Sequence, residues 1–328
     1  MAEIQPFDGI RFDTRRVIAG DVLTQPYDKI TPEMREQYLR RSPWNLIRIE
    51  LGTEEPGDTD AANKYTRARD LHRAWLREGI LCRSGKPSLY WLEQAFRLPA
   101  GVGQDSAAHS EGTLLRRGLI ARVRLTRWEE GRVLPHEHTL SKPKADRLAL
   151  LRACGAQQGQ IFMLYPTPHR DLGSLLEGTF DRSTPVLQCI DDHQVTNRLW
   201  EVTDPEAIRT VQQALRDPAF YIADGHHRYE TALAYRDECR TAAARPDPEA
   251  PSEFVMATLV DLGDPGLVVL PTHRTVGHLE AFDRTRFRAR LAEDFAIDPQ
   301  ASLRRLVDAM RTTRHGDEGK SNVIGMYD

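Results

Sequence analysis

FYIADGHHRYETAL, residues 220–233, is the stretch on which the reading of this chain turns. Residues 220–223 are apolar and read as the end of a buried strand. Asp224 and Gly225 turn the chain, and a helical pattern begins at about His226 or His227. Two histidines and an arginine therefore stand at the first turn of a helix. The first N–H groups of a helix have no internal partner and carry partial positive charge. Gathering further cations there is unfavourable unless an anion joins them. Backbone donors, His226, His227 and Arg228 together suit a phosphate or pyrophosphate, and Gly225 lets it approach the backbone. Asp224 suits a magnesium ion bridging phosphate oxygens, or a proton. As a plain strand-to-helix turn, the same residues would need no ligand.

Outward from this junction the chain alternates strand and helix patterns. Toward the N-terminus, QPYDKITPEM (25–34) enters a helix with Thr31 as N-cap and Pro32 at its first position. NLIRIEL (45–51) alternates as a strand does, and residues 60–79 form a helix closed by Gly79. Strands are expected at 88–98, 118–125, 161–166, 185–192 and 197–203, and helices at 142–153 and 205–217, the last capped by Asp204. PAGVGQDSAAHSEG (99–112) is a long polar connection. Beyond the junction, a helix over 227–240 and a Pro- and Ala-rich loop lead to two strands around the turn GDPG (263–266), read as a hairpin, and a helix follows at 280–296. SNVIGMYD (321–328) starts as a strand and stops, which suits an edge strand or a chain lacking a further C-terminal portion. The fold class is α+β, with mixed sheets and flanking helices.

Composition excludes several functions. The chain has 328 residues, 40% hydrophobic and 28% charged, with a formal net charge of −3. It has core enough for more than one lobe and no basic excess for nucleic acid. No apolar run approaches the roughly 20 residues of a membrane helix, and the N-terminus lacks a signal-peptide pattern. Cys82, Cys154, Cys189 and Cys239 are too scattered for a zinc ribbon or a disulfide framework. The expected home is the cytoplasm, without nucleic-acid or membrane partners. The oligomeric state is open, with a homodimer as the candidate.

Other segments offer chemistry. LPHEHTLSKPKADR (134–147) places His136, Glu137 and His138 in a row, followed by Lys142, Lys144 and Arg147. Glu137 suits a general base or metal ligand and the basic residues suit phosphate, although a polar loop capping the next helix accounts for them equally. The spacing is not the HExxH of a zinc protease. His273 and Arg274 in LPTHRTV, with Asp28 and Asn45, are further candidates for a pocket. There is no Walker A loop, no GxGxxG and no GxSxG elbow.

The start of the helix in ADGHHR resembles the phosphate-binding motif of the ParB/sulfiredoxin superfamily. QPYDKI, NLIRIEL, RRGLIARV, LPHEHTLSKPKADRL, IFMLYP, YIADGHHRYETAL and LPTHRTV, in that order, resemble a bacterial and archaeal family catalogued as domain of unknown function 1015. The resemblance implies a ParB/sulfiredoxin-like core at 111–280, after an N-terminal α/β lobe at 1–110 and before a C-terminal helical segment at 281–328. It also implies a kinase-type phosphotransferase, related to free L-serine kinases, that forms O-phosphoserine with pyrophosphate, ATP or ADP as donor and with Mg2+. Its partners are then a small-molecule substrate and a phosphoryl donor. Glu137, Asp224 and His227 become the catalytic candidates, with Asp224 also holding the metal. Gly225, His226, His227, Arg228, Lys142 and Arg147 bind phosphate, and His136, His138, His273, Arg274, Asp28 and Asn45 bind substrate. His226 stands where sulfiredoxins have cysteine, which argues against sulfinic acid repair. A non-catalytic binder of a phosphorylated metabolite would need the anion site but not Glu137. A metal-dependent hydrolase would use His136, His138, His226 and His227.

Overall fold

The computed structural model describes residues 3–98, 112–137, 141–166, 171–270, 276–277, 279–316 and 324–326. In chain order the elements are β1 (Ile4–Gln5), β2 (Ile10–Phe12), α1 (Ala19–Val22), α2 (Pro32–Arg41), α3 (Ile47–Glu50), α4 (Lys64–Arg77), β3 (Leu81–Arg83), β4 (Leu89–Phe96), β5 (Leu114–Arg124), β6 (Val133–Leu134) and α5 (Ser141–Cys154). They continue through β7 (Ile161–Tyr165), α6 (Leu172–Leu175), β8 (Leu187–Ile190), β9 (Thr196–Val202), α7 (Pro205–Ala214), β10 (Phe220–Asp224), α8 (His226–Ala242), β11 (Phe254–Asp261), α9 (Arg284–Asp294) and α10 (Leu303–Gly316). They fall into two compact units, residues 1–269 and 270–328.

The first unit is built on one mixed sheet of nine strands, in the order β6-β10-β7-β11-β5-β4-β9-β8, with β1 also paired to β5. The β10–β6 and β11–β7 pairs are parallel and the others antiparallel. The chain is therefore α+β, as its pattern implies. β4 pairs with β5 from Tyr90 opposite Ile120 to Phe96 opposite Leu114. Residues on both sides of position 110 thus share one sheet, and the first two of the three expected segments are joined by it.

Period-two burial explains the central strands. Leu119, Ala121 and Val123 of β5, Ala257 and Leu259 of β11, and Ile161, Met163 and Tyr165 of β7 are all buried in one core. α7 lays Ala207, Ile208, Val211 and Leu215 on that core, and α8 adds Tyr229 and Ala232. A smaller core joins Phe12, Val22, Ile49, Ala68, Trp75 and Leu81 to Leu150 of α5. α5 packs against both α4 and α8, so it bridges the two cores.

Helix starts follow their capping residues. Thr31 accepts from Met34 N, Asn63 from Tyr65 and Thr66, Asp204 from Ala207 and Asp283 from Arg286. Two expectations need correction. NLIRIEL is not a strand: Asn45 Oδ1 accepts from Ile47 N at 3.0 Å and its amide donates to Asp21 O at 2.7 Å, which winds the segment into α3. GDPG does not close a hairpin either. The Asp264 carboxylate accepts from the N–H of Gly266 and of Arg117, so the turn folds onto β5, and residues 267–270 form no strand. The 99–111 connection lies outside the described residues, as do His273, Arg274 and most of SNVIGMYD. Of that last segment residues 324–326 are described, and they are not in a strand.

Tyr229 fastens α8 to the segment that follows β5. Its hydroxyl, fully buried, donates to Thr126 O at 2.8 Å and accepts from Thr126 N at 3.0 Å. Tyr229→Phe strands both backbone groups, and urea unfolding should show a loss of about 1–3 kcal/mol with an unchanged m-value. An unaltered midpoint would show that the bond contributes nothing net.

Candidate functional site

The β10-to-α8 junction is as abrupt as its sequence suggests. Pairing of β10 with β7 shifts register between Ile222 and Asp224, so the strand is irregular just before it ends. Gly225 then takes φ 95° and ψ 26°, a left-handed conformation that disfavours any side chain. α8 runs for 17 residues from His226, and its N-cap residue, Gly225, has no side chain with which to cap it. Tyr229 N bonds Gly225 O, which closes the first turn.

Arg228 folds back on this turn. Its Nη2 donates to Asp224 Oδ2 at 2.5 Å, an i to i+4 ion pair. A Cβ at position 225 would stand 3.0 Å from Arg228 Nε, and one at position 159 would stand 2.9 Å from Nη1. Two glycines therefore make the slot in which the guanidinium lies.

His226 points elsewhere, because residues two apart on a helix are about 200° apart around it. Its ring is 1% exposed. Nε2 accepts from His136 N at 3.2 Å, while His136 Nδ1, 2.6 Å from Ile222 O, donates to that carbonyl. The two rings meet edge to face with centroids 4.5 Å apart. Nδ1 of His226 lies 3.1 Å from Glu137 Oε1, off the line of a good hydrogen bond. Burial holds the His226 pKa below its ordinary value, more strongly than Glu137 raises it. The ring is therefore neutral, and with Nε2 accepting, its proton sits on Nδ1 and faces Glu137.

This assignment bears on the metal reading. Ligand atoms of His136, Glu137 and His226 lie within 4.8 Å of one another, the one such group among the described residues. A ligating nitrogen needs its lone pair, and in this arrangement the Nδ1 of His226 carries a proton instead. His138 lies outside the described residues. Asp224 suits a hard cation better. Its side chain is half-exposed and offers oxygen ligands, with Oδ2 on Arg228.

On the other side of Arg228 is a small, partly open pocket walled by α5, the 156–159 turn, α8 and β11. Arg147 lines it but is itself buried. Arg147 Nη1 donates to Glu50 Oε1 at 3.0 Å, Nη2 to Glu50 O at 2.9 Å and to Asp146 Oδ2 at 2.5 Å, and the guanidinium lies 4.4 Å from the Tyr27 ring centroid. Lys144 pairs with Glu230 at 2.7 Å.

Several candidates of the sequence are thus placed. Asp224, Gly225, His226, His227 and Arg228 share the helix start, with His136 and Glu137 beside His226. Arg147 reaches the pocket through an ion pair. Asn45 is corrected to a structural residue: it is fully buried and its side chain is consumed by backbone bonds. Asp28 lies exposed on a single helical turn, and its neighbour Tyr27 is the residue that meets Arg147. Lys142 falls on α5 with its side chain outside the described part, and His273 and Arg274 lie outside it entirely. Glu50 was not a candidate. Burial pushes its carboxyl above the usual range, and its only sequence signal is an acid inside an apolar run.

The chain belongs to the family described as protein of unknown function (DUF1015), whose model matches residues 4–328. Searches of curated proteins and of solved structures found no match. No described helix is long and apolar enough to cross a membrane.

The tautomer of His226 is measurable. Long-range 15N–1H correlation at neutral pH should show a neutral ring protonated at Nδ1. A proton on Nε2 would contradict the geometry.

Proposed function

We propose that the protein is a phosphotransferase acting on the hydroxyl of a small metabolite, with free L-serine as acceptor and pyrophosphate, ATP or ADP as donor. The observation that carries this reading is the open start of α8. Its N-cap is Gly225, which has no side chain to take up the first N–H groups and keeps the approach clear, and Arg228 is held alongside. Such a start complements the spread negative charge of a phosphoryl group in transfer, where catalysis is mostly positioning and charge stabilisation.

In this reading the acceptor O–H proton passes to the Glu137 carboxylate, an O–P bond forms, and the bond from phosphorus to the donor's bridging oxygen breaks. His226 turns its Nδ1–H side toward Glu137, 3.1 Å away, and the His136 N–H fixes the ring. His226 is thus a positioning residue more than a phosphate ligand. Magnesium bound with the donor would offset phosphate charge, and Asp224 is the residue that would hold it. Free L-serine rests on the likeness of ADGHHR to the serine-kinase motif.

The full-length protein is to be incubated with L-serine, Mg2+ and each donor in turn, with O-phosphoserine followed by 31P NMR. Product is expected from at least one donor. Glu137→Gln should lower kcat by about 100-fold or more while leaving the donor KM within a few-fold. Absence of O-phosphoserine from every donor would overturn the reading. Full activity of the variant would remove Glu137 as the base.

A further inference from the structure

The pocket beside Arg228 contains two polar groups that the fold leaves without partners. Glu50 is 6% exposed and spends Oε1 on Arg147, yet its Oε2 is buried with no hydrogen bond. The Gln158 Nε2 is likewise buried and unbonded. Both residues line the same cavity. Its other polar side chains are engaged: Gln157 bonds Phe254 O and Met256 N, and Thr231 donates to His227 O. Leu150, Leu151, Ala232 and Val255 make the rest of the wall apolar. A buried polar group with no partner is costly, more so when charged, so two such residues lining one cavity point to a ligand that completes them.

The charges indicate what kind of ligand. The charged residues lining the cavity are Glu50, Arg147 and Arg228; Glu50 offsets Arg147, and Asp224 outside the cavity offsets Arg228. A ligand of zero net charge keeps that balance. Arg147 divides its donors between Glu50 and Asp146, so Glu50 Oε2 is best completed by a cationic N–H donor. Gln158 Nε2, an amide donor without a partner, requires an acceptor oxygen.

We propose that Glu50 and Gln158 select a small zwitterion in this pocket, with a primary ammonium on Glu50 Oε2 and an anionic oxygen on Gln158 Nε2. Calling that ligand the phosphoryl acceptor rests on the phosphotransferase reading; the binding assignment does not. The ammonium satisfies the one buried carboxylate oxygen that Arg147 does not reach. The acceptor hydroxyl is then free to face the start of α8 across Arg228.

The test is binding to the full-length protein without donor, by calorimetry or saturation-transfer NMR. L-Serine should bind, and 3-hydroxypropionate, which lacks the amine, should bind at least about tenfold more weakly. Gln158→Leu leaves the Glu50–Arg147 pair intact and should weaken L-serine about tenfold. Glu50→Gln should do the same, and Gln158→Leu keeps the test valid should the Glu50 variant fail to fold. Equal binding of the two probes, no binding of L-serine, or no effect of Gln158→Leu would overturn the assignment. L-Serine binding without transfer from any donor keeps the pocket and removes the phosphotransferase. Equally efficient phosphorylation of 3-hydroxypropionate keeps the enzyme and removes the selectivity.

Discussion

Arg228 lies against the turn that precedes its own helix, and the rest of the site depends on that arrangement. The guanidinium lies within about 3 Å of where side chains at positions 159 and 225 would begin, and both positions are glycine. Asp224 fixes it from below, at the end of an irregular strand. The same arginine then serves two surfaces. One face borders the open start of α8, and the other forms the wall of the pocket that Glu50 and Gln158 share. Neither surface keeps its shape if the arginine is displaced.

The gathering of cations that the sequence shows is gentler in three dimensions. His226 is buried and neutral, so it adds a dipole and not a charge. Arg228 has Asp224 as its counterion, and Lys144 has Glu230. The carboxylates at this junction are therefore intramolecular, and they moderate the positive field of the helix start. The N-cap residue of α8 is glycine, which offers no side chain, whereas Thr31, Asn63, Asp204 and Asp283 cap α2, α4, α7 and α9.

Local chemistry made much of this legible. The glycine turn, the helix start within a residue, the Thr31 and Asp204 caps and the buried central strands all follow from neighbours in sequence. NLIRIEL misled because four residues of alternating apolar character suit a strand and a short helix equally. What decides is the long-range bond from Asn45 to Asp21 O. GDPG misled because its aspartate bonds the backbone of a strand some 147 positions away. The site was legible where its residues are contiguous, at 224–228 and 136–137. Glu50 and Gln158 were not, since a buried acid in an apolar run and an unpaired amide become meaningful only when α3, α5 and the 156–159 turn meet.

A structure of the protein with pyrophosphate tests the central claim most directly. The account predicts the anion at the start of α8, accepting from the N–H groups of residues 226–228 and from Arg228. An ordered pyrophosphate bound elsewhere, with the α8 start left to solvent, would contradict it.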